Sequence, residues 1–166
     1  PDRPAIAIVG DGAMQMNGMA ELLTISRYWK EWSDPRLIVA VLHNNDLNQV
    51  TWEMRAMEGA PKFVESQSLP DYSYGAFAQT VGLRSIEVTS PDQVASAWRE
   101  ALAADRPTLL DVHTDPNVPP IPPHATFEQM KLAGMAILHG DEDAGEMIRT
   151  GIKQKVQEFL PGRKDQ

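Results

Sequence analysis

The sequence predicts an α/β fold in which a mostly parallel sheet is flanked by helices, and three observations support that class. Two short apolar runs, 5–9 and 37–42, have the length and β-branched content of strands buried on both faces. The segment between them, 17–31, has the apolar spacing of an amphipathic crossover helix. Further strands and helices then alternate along the chain, which is the pattern of an α/β protein.

The later elements follow from the same spacing and from helix start and stop signals. Gly82 ends a short helix, and Ser90 caps the next one, with Pro91 in its first position. The predicted elements are a helix at 74–81, a strand at 84–88, a helix at 91–104 and a strand at 108–113. Residues 55–70 lack periodicity and are predicted to form a loop, which beside a binding edge is typical of a mobile lid.

A proline-rich connector divides the chain into two predicted parts. Residues 1–115 form the α/β domain, which is expected to be N-terminally incomplete because residues 1–4 lead straight into a strand. Residues 116–166 contain the connector and a C-terminal helical extension that packs on the same domain. Its helices are predicted at 126–138 and 143–160. The chain is therefore expected to be a piece of a longer protein.

Composition and charge exclude several classes of function. The 166 residues are the length of one domain and carry a formal net charge of −8, which disfavours a nucleic-acid partner. The chain has no cysteine, and therefore no disulfide, thiolate metal site or cysteine nucleophile. No apolar stretch approaches roughly 18 residues, so a membrane partner is not expected. A cytoplasmic location is the prediction, since the absence of cysteine is compatible with a reducing compartment.

Polar residues follow both of the first two strands, at the points where each strand ends. Gly10, Asp11 and Gly12 come directly after the first strand, and a loop rich in amide side chains, 43–49, follows the second. Because a crossover between parallel strands leaves both C-terminal ends at one edge of the sheet, these loops are expected to face each other. The sequence therefore predicts a ligand-binding site at this edge.

Asp11 indicates a phosphate that is bound through a divalent cation. The backbone amides of Gly12 and Ala13 lie just ahead of a helix, in a region of positive potential that suits a phosphate, whereas the Asp11 carboxylate would repel one. A magnesium ion between carboxylate and phosphate removes that conflict, because Mg²⁺ prefers oxygen ligands. The alternative is that Gly10, Asp11 and Gly12 form a simple turn.

The loop after the second strand contains more amide side chains than a turn needs, namely Asn44, Asn45, Asn48 and Gln49. An asparagine oxygen and a backbone carbonyl two residues later can complete the shell of a hard cation, while neighbouring amides hold diphosphate oxygens. The alternative is a polar surface loop. His43, at the end of the buried strand, is interpreted as a packed or hydrogen-bonded residue, with acid–base catalysis as its alternative role.

The two loops together resemble the thiamine-diphosphate-binding domain of the pyruvate oxidase and acetolactate synthase superfamily, which has a Rossmann-like fold. The resemblance rests on Gly10-Asp11-Gly12 and on Asn44. It also rests on further residues that occur in the same order as in the family, namely Met16, Glu21, Leu22, Leu47, Val50, Glu53 and Met54. Residues 107–112, 121–123 and 128–129 resemble the C-terminal end of the pyruvate oxidase branch. The resemblance covers nearly the whole chain and is more specific for cofactor than for substrate.

The resemblance implies how the cofactor is held. Mg²⁺ would be bound by the side chains of Asp11 and Asn44 and by the backbone carbonyl of Asp46. Asn45 is the competing choice for the amide ligand. The implied cofactor-binding residues are Gly10, Asp11, Gly12, Ala13, Asn44, Asp46, Leu47, Asn48 and Gln49.

Three features of this sequence differ from the family without removing a metal ligand. His43 stands where relatives have asparagine, Asn48 stands where many have glycine, and the segment between the two motifs is several residues longer. Trp52 and Met54 lie just past the loop, where relatives shape the substrate entrance, so they are predicted to line it. The alternative is that the side chains of Trp52 and Met54 belong to the hydrophobic core. No catalytic residue is assigned, because the family's glutamate belongs to another domain.

The resemblance implies a 2-oxo acid decarboxylase whose other domains lie outside this chain. The expected substrate is pyruvate or a similar 2-oxo acid, the cofactors are thiamine diphosphate and Mg²⁺, and FAD is a further cofactor that the parent enzyme could use. Pyruvate oxidase or dehydrogenase chemistry is expected, and an acetolactate synthase-like carboligase is the alternative. The expected partners are the remaining domains, in a homodimer or homotetramer, and the chain alone is expected to be inactive.

Two further alternatives concern the last helix and the whole chain. The apolar stripe of the last helix is predicted to dock on a neighbouring domain, and contact with lipid, which one pyruvate oxidase subgroup makes, is disfavoured by its acidic residues. The chain could instead be a non-catalytic Rossmann-like module that binds a nucleotide or assembles with partners. Residues 10–15 lack the third glycine of a Gly-x-Gly-x-x-Gly motif, and no Walker-type lysine is present.

Overall fold

A parallel sheet forms the centre of the computed structural model, which describes residues 3–118 and 127–150. Its strands are β1 (Ala5–Gly10), β2 (Leu37–His43), β3 (Arg84–Val88) and β4 (Thr108–His113). All neighbouring strands pair in parallel, in the order β1-β2-β4-β3. The predicted α/β class is confirmed, and each predicted strand is found to within one residue because its apolar run defines it.

Helical segments connect the strands and follow the last one. They are α1 (Asp11–Ala13), α2 (Met19–Tyr28), α3 (Asn48–Glu53), α4 (Val64–Gln67), α5 (Tyr74–Thr80), α6 (Pro91–Leu102) and α7 (Phe127–Leu138). A π-helical turn, Met14–Gly18, joins α1 to α2, a second one, Met54–Glu58, continues α3, and a 3₁₀ turn, Trp29–Glu31, follows α2. Within the described residues, no helix has the length and apolar character needed to cross a membrane.

The chain forms two compact units that differ from the predicted division at residue 115. Among the described residues, the first unit contains 3–45 and 69–114, and the second contains 46–68, 115–118 and 127–150. The predicted boundary agrees within one residue with the second change of unit, but 46–68 group with the C-terminal part. A helix at 144–150 begins the predicted last helix. The rest of that helix, and 119–123 of the connector, lie outside the described residues.

The first helical segment begins at Asp11, directly after β1, and not at residue 17 as predicted. Asp11 is an acidic residue in the first turn, where it interacts favourably with the helix dipole, and its Oδ1 accepts a hydrogen bond from the Gly12 amide at 2.9 Å. Gly18 allows the π-helical turn, because a Cβ there would collide with the sulfur of buried Met14. The alternative that residues 10–12 form a simple turn is therefore wrong.

The predicted loop at 55–70 is also partly wrong, because Met54–Glu58 and Val64–Gln67 are helical. Gly59 ends the first of these segments in the left-handed conformation, with φ of +63°. The segment lacks a clear apolar period because the residue at its centre, Arg55, is a buried charged residue whose partners lie far along the chain. A lid role for 55–70 stays a prediction.

Helices cover both faces of the sheet in the first unit. Leu22 of α2 and Tyr74 and Ala78 of α5 pack with Val41 and Leu109 on one face. On the other face, Ala97 and Ala101 of α6 pack with Ile38, Ala40 and Leu110. The two central strands, β2 and β4, are therefore buried on both faces, as their continuous apolar runs predict. The same prediction is wrong for β1, because its Ile6 and Ile8 are 53% and 63% exposed.

Candidate functional site

The ends of β1 and β2 lie side by side because the two strands pair in parallel and in register. The pairing runs from Ala5 opposite Leu37 to Gly10 opposite Leu42. Asp11 follows the last residue of β1, and Asn44 and Asn45 follow the end of β2. The structure thus places the predicted segment 10–12 beside residues 43–45, the part of the predicted loop that belongs to the same unit.

Asp11 connects these segments through its carboxylate, although the residue is only 2% exposed. Its Oδ2 accepts hydrogen bonds from the backbone amides of Asn44 at 2.8 Å and Asn45 at 2.6 Å, while Oδ1 accepts from Gly12. A carboxylate offers about four lone-pair positions, so three amide donors leave one for a cation. The arrangement fits one-point binding of Mg²⁺ by Asp11.

Asn45 adopts a left-handed backbone conformation, with φ of +58°, which is uncommon for any residue except glycine and least costly for asparagine or aspartate. Its carbonyl accepts a hydrogen bond from the Leu69 amide at 2.8 Å. Its side-chain oxygen, Oδ1, lies 2.8 Å from Nε2 of His43. The backbone turn and the side-chain contact together define the shape of this segment.

His43 is buried, with 3% of its surface exposed, and forms hydrogen bonds through both ring nitrogens. Its Nδ1 lies 2.8 Å from Oδ1 of Asp111, and its ring stacks on His113 and meets the edge of Tyr74. Burial alone would lower the pKa of His43, but hydrogen bonds to Asp111 and Asn45 raise the pKa above its ordinary value. The interpretation of His43 as a packed, hydrogen-bonded residue agrees with these contacts.

His43, Asp111 and His113 place three potential metal-ligating atoms within 4.8 Å of one another. The two imidazole rings, however, are stacked with centroids 4.6 Å apart and planes inclined by 30°. Imidazole lone pairs lie in the ring plane, so those of stacked rings run side by side and do not converge on one ion. The cluster is therefore described better as a stacked, hydrogen-bonded group than as a metal centre.

Tyr74 and Gln15 lie next to Asp11 in the first unit. The Tyr74 hydroxyl accepts a hydrogen bond from Gln15 Nε2 at 2.8 Å, and the same amide group donates to the Pro70 carbonyl at 3.1 Å. Burial raises the pKa of Tyr74, so its hydroxyl stays protonated near neutral pH. These bonds link the π-helical turn after α1 to the segment that precedes α5.

The remaining predicted cofactor-binding residues, Asp46, Leu47, Asn48 and Gln49, belong to the second unit. Within it, the Asp46 carboxylate accepts hydrogen bonds from Thr51 at 3.0 Å and Asn48 at 3.2 Å and pairs with Lys62 at 3.3 Å. Asn48 also donates to the Pro116 carbonyl at 2.7 Å. Asn48 and Gln49 begin helix α3, so the predicted loop is shorter than 43–49.

Trp52 and Met54, the residues predicted at a substrate entrance, have structural contacts inside the second unit. Trp52 is buried, donates from Nε1 to the Pro116 carbonyl at 3.0 Å and packs its ring against the Arg55 guanidinium. Met54 accepts a hydrogen bond from Gln67 through its sulfur. These contacts favour the alternative, a place in the core, and the entrance role stays a prediction.

Two features of the structure were not predicted from the sequence. The first is the pairing of His43 with Asp111, for which an acid inside the apolar run of β4 was the available signal. The second is the ion pair of buried Arg55 with Asp141, which has bonds of 2.8 and 2.7 Å. Both join residues far apart in sequence, 68 and 86 positions respectively.

A buried acid at the end of one parallel strand, bonded to backbone amides at the end of the next, lies at the edge where open α/β sheets bind ligands. Residues 1–112 match the family model of the thiamine pyrophosphate enzymes, C-terminal TPP-binding domain. The chain therefore belongs to this family, as the resemblance implied.

Comparisons with individual proteins agree with this family. The chain is 34% identical over 131 residues to YdaP of Bacillus subtilis, which is described as a thiamine pyrophosphate-containing protein. The alignment covers 79% of this chain and 21% of that protein. It is 30% identical over 126 residues to a probable acetolactate synthase large subunit of Methanocaldococcus jannaschii. That alignment covers 74% of this chain and 20% of the subunit. The chain thus spans about a fifth of the length of the curated relatives that it matches.

A solved structure shares the fold. The thiamine diphosphate-dependent 4-hydroxybenzoylformate decarboxylase of Rhodococcus jostii superposes with a TM-score of 0.59 and 24% identity. The superposition covers 69% of this chain and 20% of that chain. The likeness supports the α/β architecture with its parallel sheet.

Proposed function

We propose that this chain binds thiamine diphosphate through Mg²⁺, as the C-terminal part of an enzyme that decarboxylates a 2-oxo acid. The observation that carries the proposal is the Asp11 carboxylate, fixed by three backbone amides at the paired ends of β1 and β2. Such a group provides a preformed negative oxygen for a hard cation. Membership of the thiamine pyrophosphate family supports the identity of the ligand.

In this proposal Asp11 and Asn44 hold Mg²⁺ with their side chains, and the cation neutralises the diphosphate. The role of the Asp46 carbonyl, and of Leu47, Asn48 and Gln49, is supported by the family resemblance alone. Thiamine diphosphate, when bound, would supply a nucleophilic carbon for addition to a keto group and a thiazolium ring that can take up the electrons released with CO₂. The residues of this chain bind and orient that cofactor, and the groups that move protons belong to other domains.

Pyruvate is the proposed substrate, in an oxidase- or dehydrogenase-like reaction with FAD as a further cofactor in the parent enzyme. The similarity to an acetolactate synthase large subunit favours a second candidate, a carboligase that joins two 2-oxo acids. Product analysis of the parent enzyme with pyruvate distinguishes the two. Acetolactate would support the carboligase, and transfer of electrons to an external acceptor would support the oxidase. A cytoplasmic homodimer or homotetramer is part of the same proposal.

Calorimetric titration tests whether the chain recognises the cofactor. We expect thiamine diphosphate to bind only with Mg²⁺ present, and NAD and ATP not to bind, because the proposed site lacks the third glycine and the lysine of nucleotide-binding loops. Asp11→Ala should abolish the metal-dependent binding, since it removes the proposed anionic ligand. Glu31→Ala, on an exposed turn after α2, is the matched control and should bind as the wild type does.

Metal-independent binding of NAD would contradict the proposal and favour the alternative, a non-catalytic nucleotide-binding module. Unchanged binding in Asp11→Ala would mean that the cofactor is held elsewhere. Circular dichroism of each variant shows whether a loss of binding reflects a loss of folding, because Asp11 also accepts three structural hydrogen bonds.

A further inference from the structure

We propose that His43 and Asp111 are positioning residues for the cofactor site, because they hold Asn45 in the turn whose amides bind Asp11. The inference rests on the proposed function, since it concerns the same site. It extends that function to residues that neither the family match nor the motif identifies.

The hydrogen-bond chain begins at Asp111, which lies in the middle of the sheet. Strand β4 pairs with β2 on one side and β3 on the other, and the Asp111 side chain is buried. A second hydrogen bond reaches Asp111 Oδ2 from the Gly75 amide at 3.4 Å. Asp111 is therefore held by a rigid element and is a suitable fixed point for its neighbours.

His43 links Asp111 to Asn45 through hydrogen bonds at its two ring nitrogens. Its Nδ1 lies 2.8 Å from Asp111 Oδ1, and its Nε2 lies 2.8 Å from Asn45 Oδ1. The Asn45 amide nitrogen faces the Asp71 carboxylate at 3.5 Å, which favours this assignment of the amide over the flipped one. Because the ring is stacked on His113 and packed against Tyr74, it has little freedom to move.

The turn at Asn45 determines how Asp11 is held. Two successive amides, from Asn44 and Asn45, donate to the same oxygen of Asp11, and the left-handed conformation at Asn45 accompanies this geometry. Since the Asn45 side-chain oxygen is bonded to His43, it is already used in a structural contact. The backbone amides of Asn44 and Asn45 are therefore held against Asp11 by a turn whose side-chain contact is to His43.

The simpler explanation is that Asn45 is present only because asparagine tolerates a positive φ. Glycine tolerates that conformation better than asparagine does, so Asn45→Gly separates the two explanations. The substitution keeps the turn accessible and removes the side-chain contacts of Asn45, which are the one with His43 at 2.8 Å and the longer one with Asp71 at 3.5 Å. A purely conformational role predicts unchanged binding, whereas the positioning role predicts weaker binding.

The experiment is calorimetric titration of the 166-residue chain with thiamine diphosphate and Mg²⁺, together with urea unfolding of the free protein. For Asn45→Gly we expect about tenfold weaker binding, as for loss of one hydrogen bond that orders a site, by a variant that is still folded under the conditions of the titration. Binding equal to that of the wild type would overturn the inference. A wild-type chain that does not bind at all would reject the proposed function itself, which separates the two failures.

A double-mutant cycle tests whether Asn45 acts through His43. His43→Phe keeps the ring stacking and removes both hydrogen bonds, and Asn45→Gly should cause no further loss of affinity in that background. Additive losses would overturn the inference, because they would show that Asn45 contacts the ligand independently. If His43→Phe does not fold, His43→Leu, which removes the same hydrogen bonds with a smaller apolar side chain, replaces it in the cycle. His139→Phe, in the second unit, is the matched control and should bind normally.

Discussion

Arg55 is a fully buried cation in the second unit, and its charge is balanced by two carboxylates. Its guanidinium donates to both oxygens of Asp141, at 2.8 and 2.7 Å, and to Asp143 at 2.8 Å. Burial works against the charged form, but these bonds raise the pKa of Arg55 and lower that of Asp141. The Lys62 amide completes the group with a hydrogen bond to Asp141.

We expect Arg55→Met to lower the free energy of unfolding by about 3 to 5 kcal/mol, because it leaves Asp141 buried and unpaired. The double substitution Arg55→Met with Asp141→Leu should recover much of the loss, since it removes the charge of Arg55 together with that of Asp141. Urea unfolding at neutral pH measures both values. Arg84→Met, which breaks an exposed pair with Glu100, is the control and should cost no more than about 1 kcal/mol. An equal loss in the control would contradict this account.

At the residue scale, the sequence predicted which groups stand at the strand ends but not what they bind within the protein. Asp11 and Asn44 come together because each follows an apolar run that can be recognised locally. The Asp111 partner of His43 could not be assigned, because it depends on the pairing of β2 with β4. That register is a property of the folded sheet, and nothing within either segment specifies it.

Helix α5 lies close against β3 and β4, and the contact is made by a residue without a side chain. A Cβ built at Gly75 would lie 2.5 Å from the Ser85 hydroxyl oxygen, well inside van der Waals contact. Ser85 belongs to β3, and the Gly75 amide also donates to Asp111 of β4. The small residue therefore determines how near the helix approaches Ser85 of β3 and Asp111 of β4.

Gly75→Ala should destabilise the chain by about 1 to 3 kcal/mol, because the added methyl group forces Ser85 or the helix to shift. Combined with Ser85→Ala, which removes the clashing oxygen, the same substitution should cost little. Thermal unfolding of the four proteins in the cycle measures the coupling. Gly134→Ala in α7, where a Cβ meets no atom within 4 Å, should cause no loss. Equal losses in both backgrounds would exclude the steric explanation.

Strands were easier to predict than helices, for a physical reason. The four strands are short apolar runs, and the central pair is buried on both faces, so composition alone indicates them. The start of the first helix was missed because glycine and aspartate have low helix propensity, although both are tolerated in a first turn. The helical residues 54–58 were missed because Arg55 is held by Asp141, a contact that local sequence does not reveal.

For the whole molecule, ligand binding and stability should be linked. A ligand that binds only the folded state raises the free energy of unfolding, by about 2.7 kcal/mol at a concentration 100 times its dissociation constant. We therefore expect thiamine diphosphate with Mg²⁺ to raise the midpoint of thermal unfolding, and EDTA to reverse the increase. Hydrogen exchange should slow most at the amides of Asn44 and Asn45. An increase that persists in EDTA would argue against a metal-mediated site.

The exposed side of strand β1 should affect how the isolated chain behaves at high concentration. In the described part of the chain, β2 is the sole neighbour of this strand, and its Ile6 and Ile8 are 53% and 63% exposed. An open strand edge bearing large aliphatic groups is a template for adding further copies. We expect concentrated preparations to become turbid before dilute ones do, because association through β1 depends on concentration. This strand would then limit the concentration at which the chain can be handled.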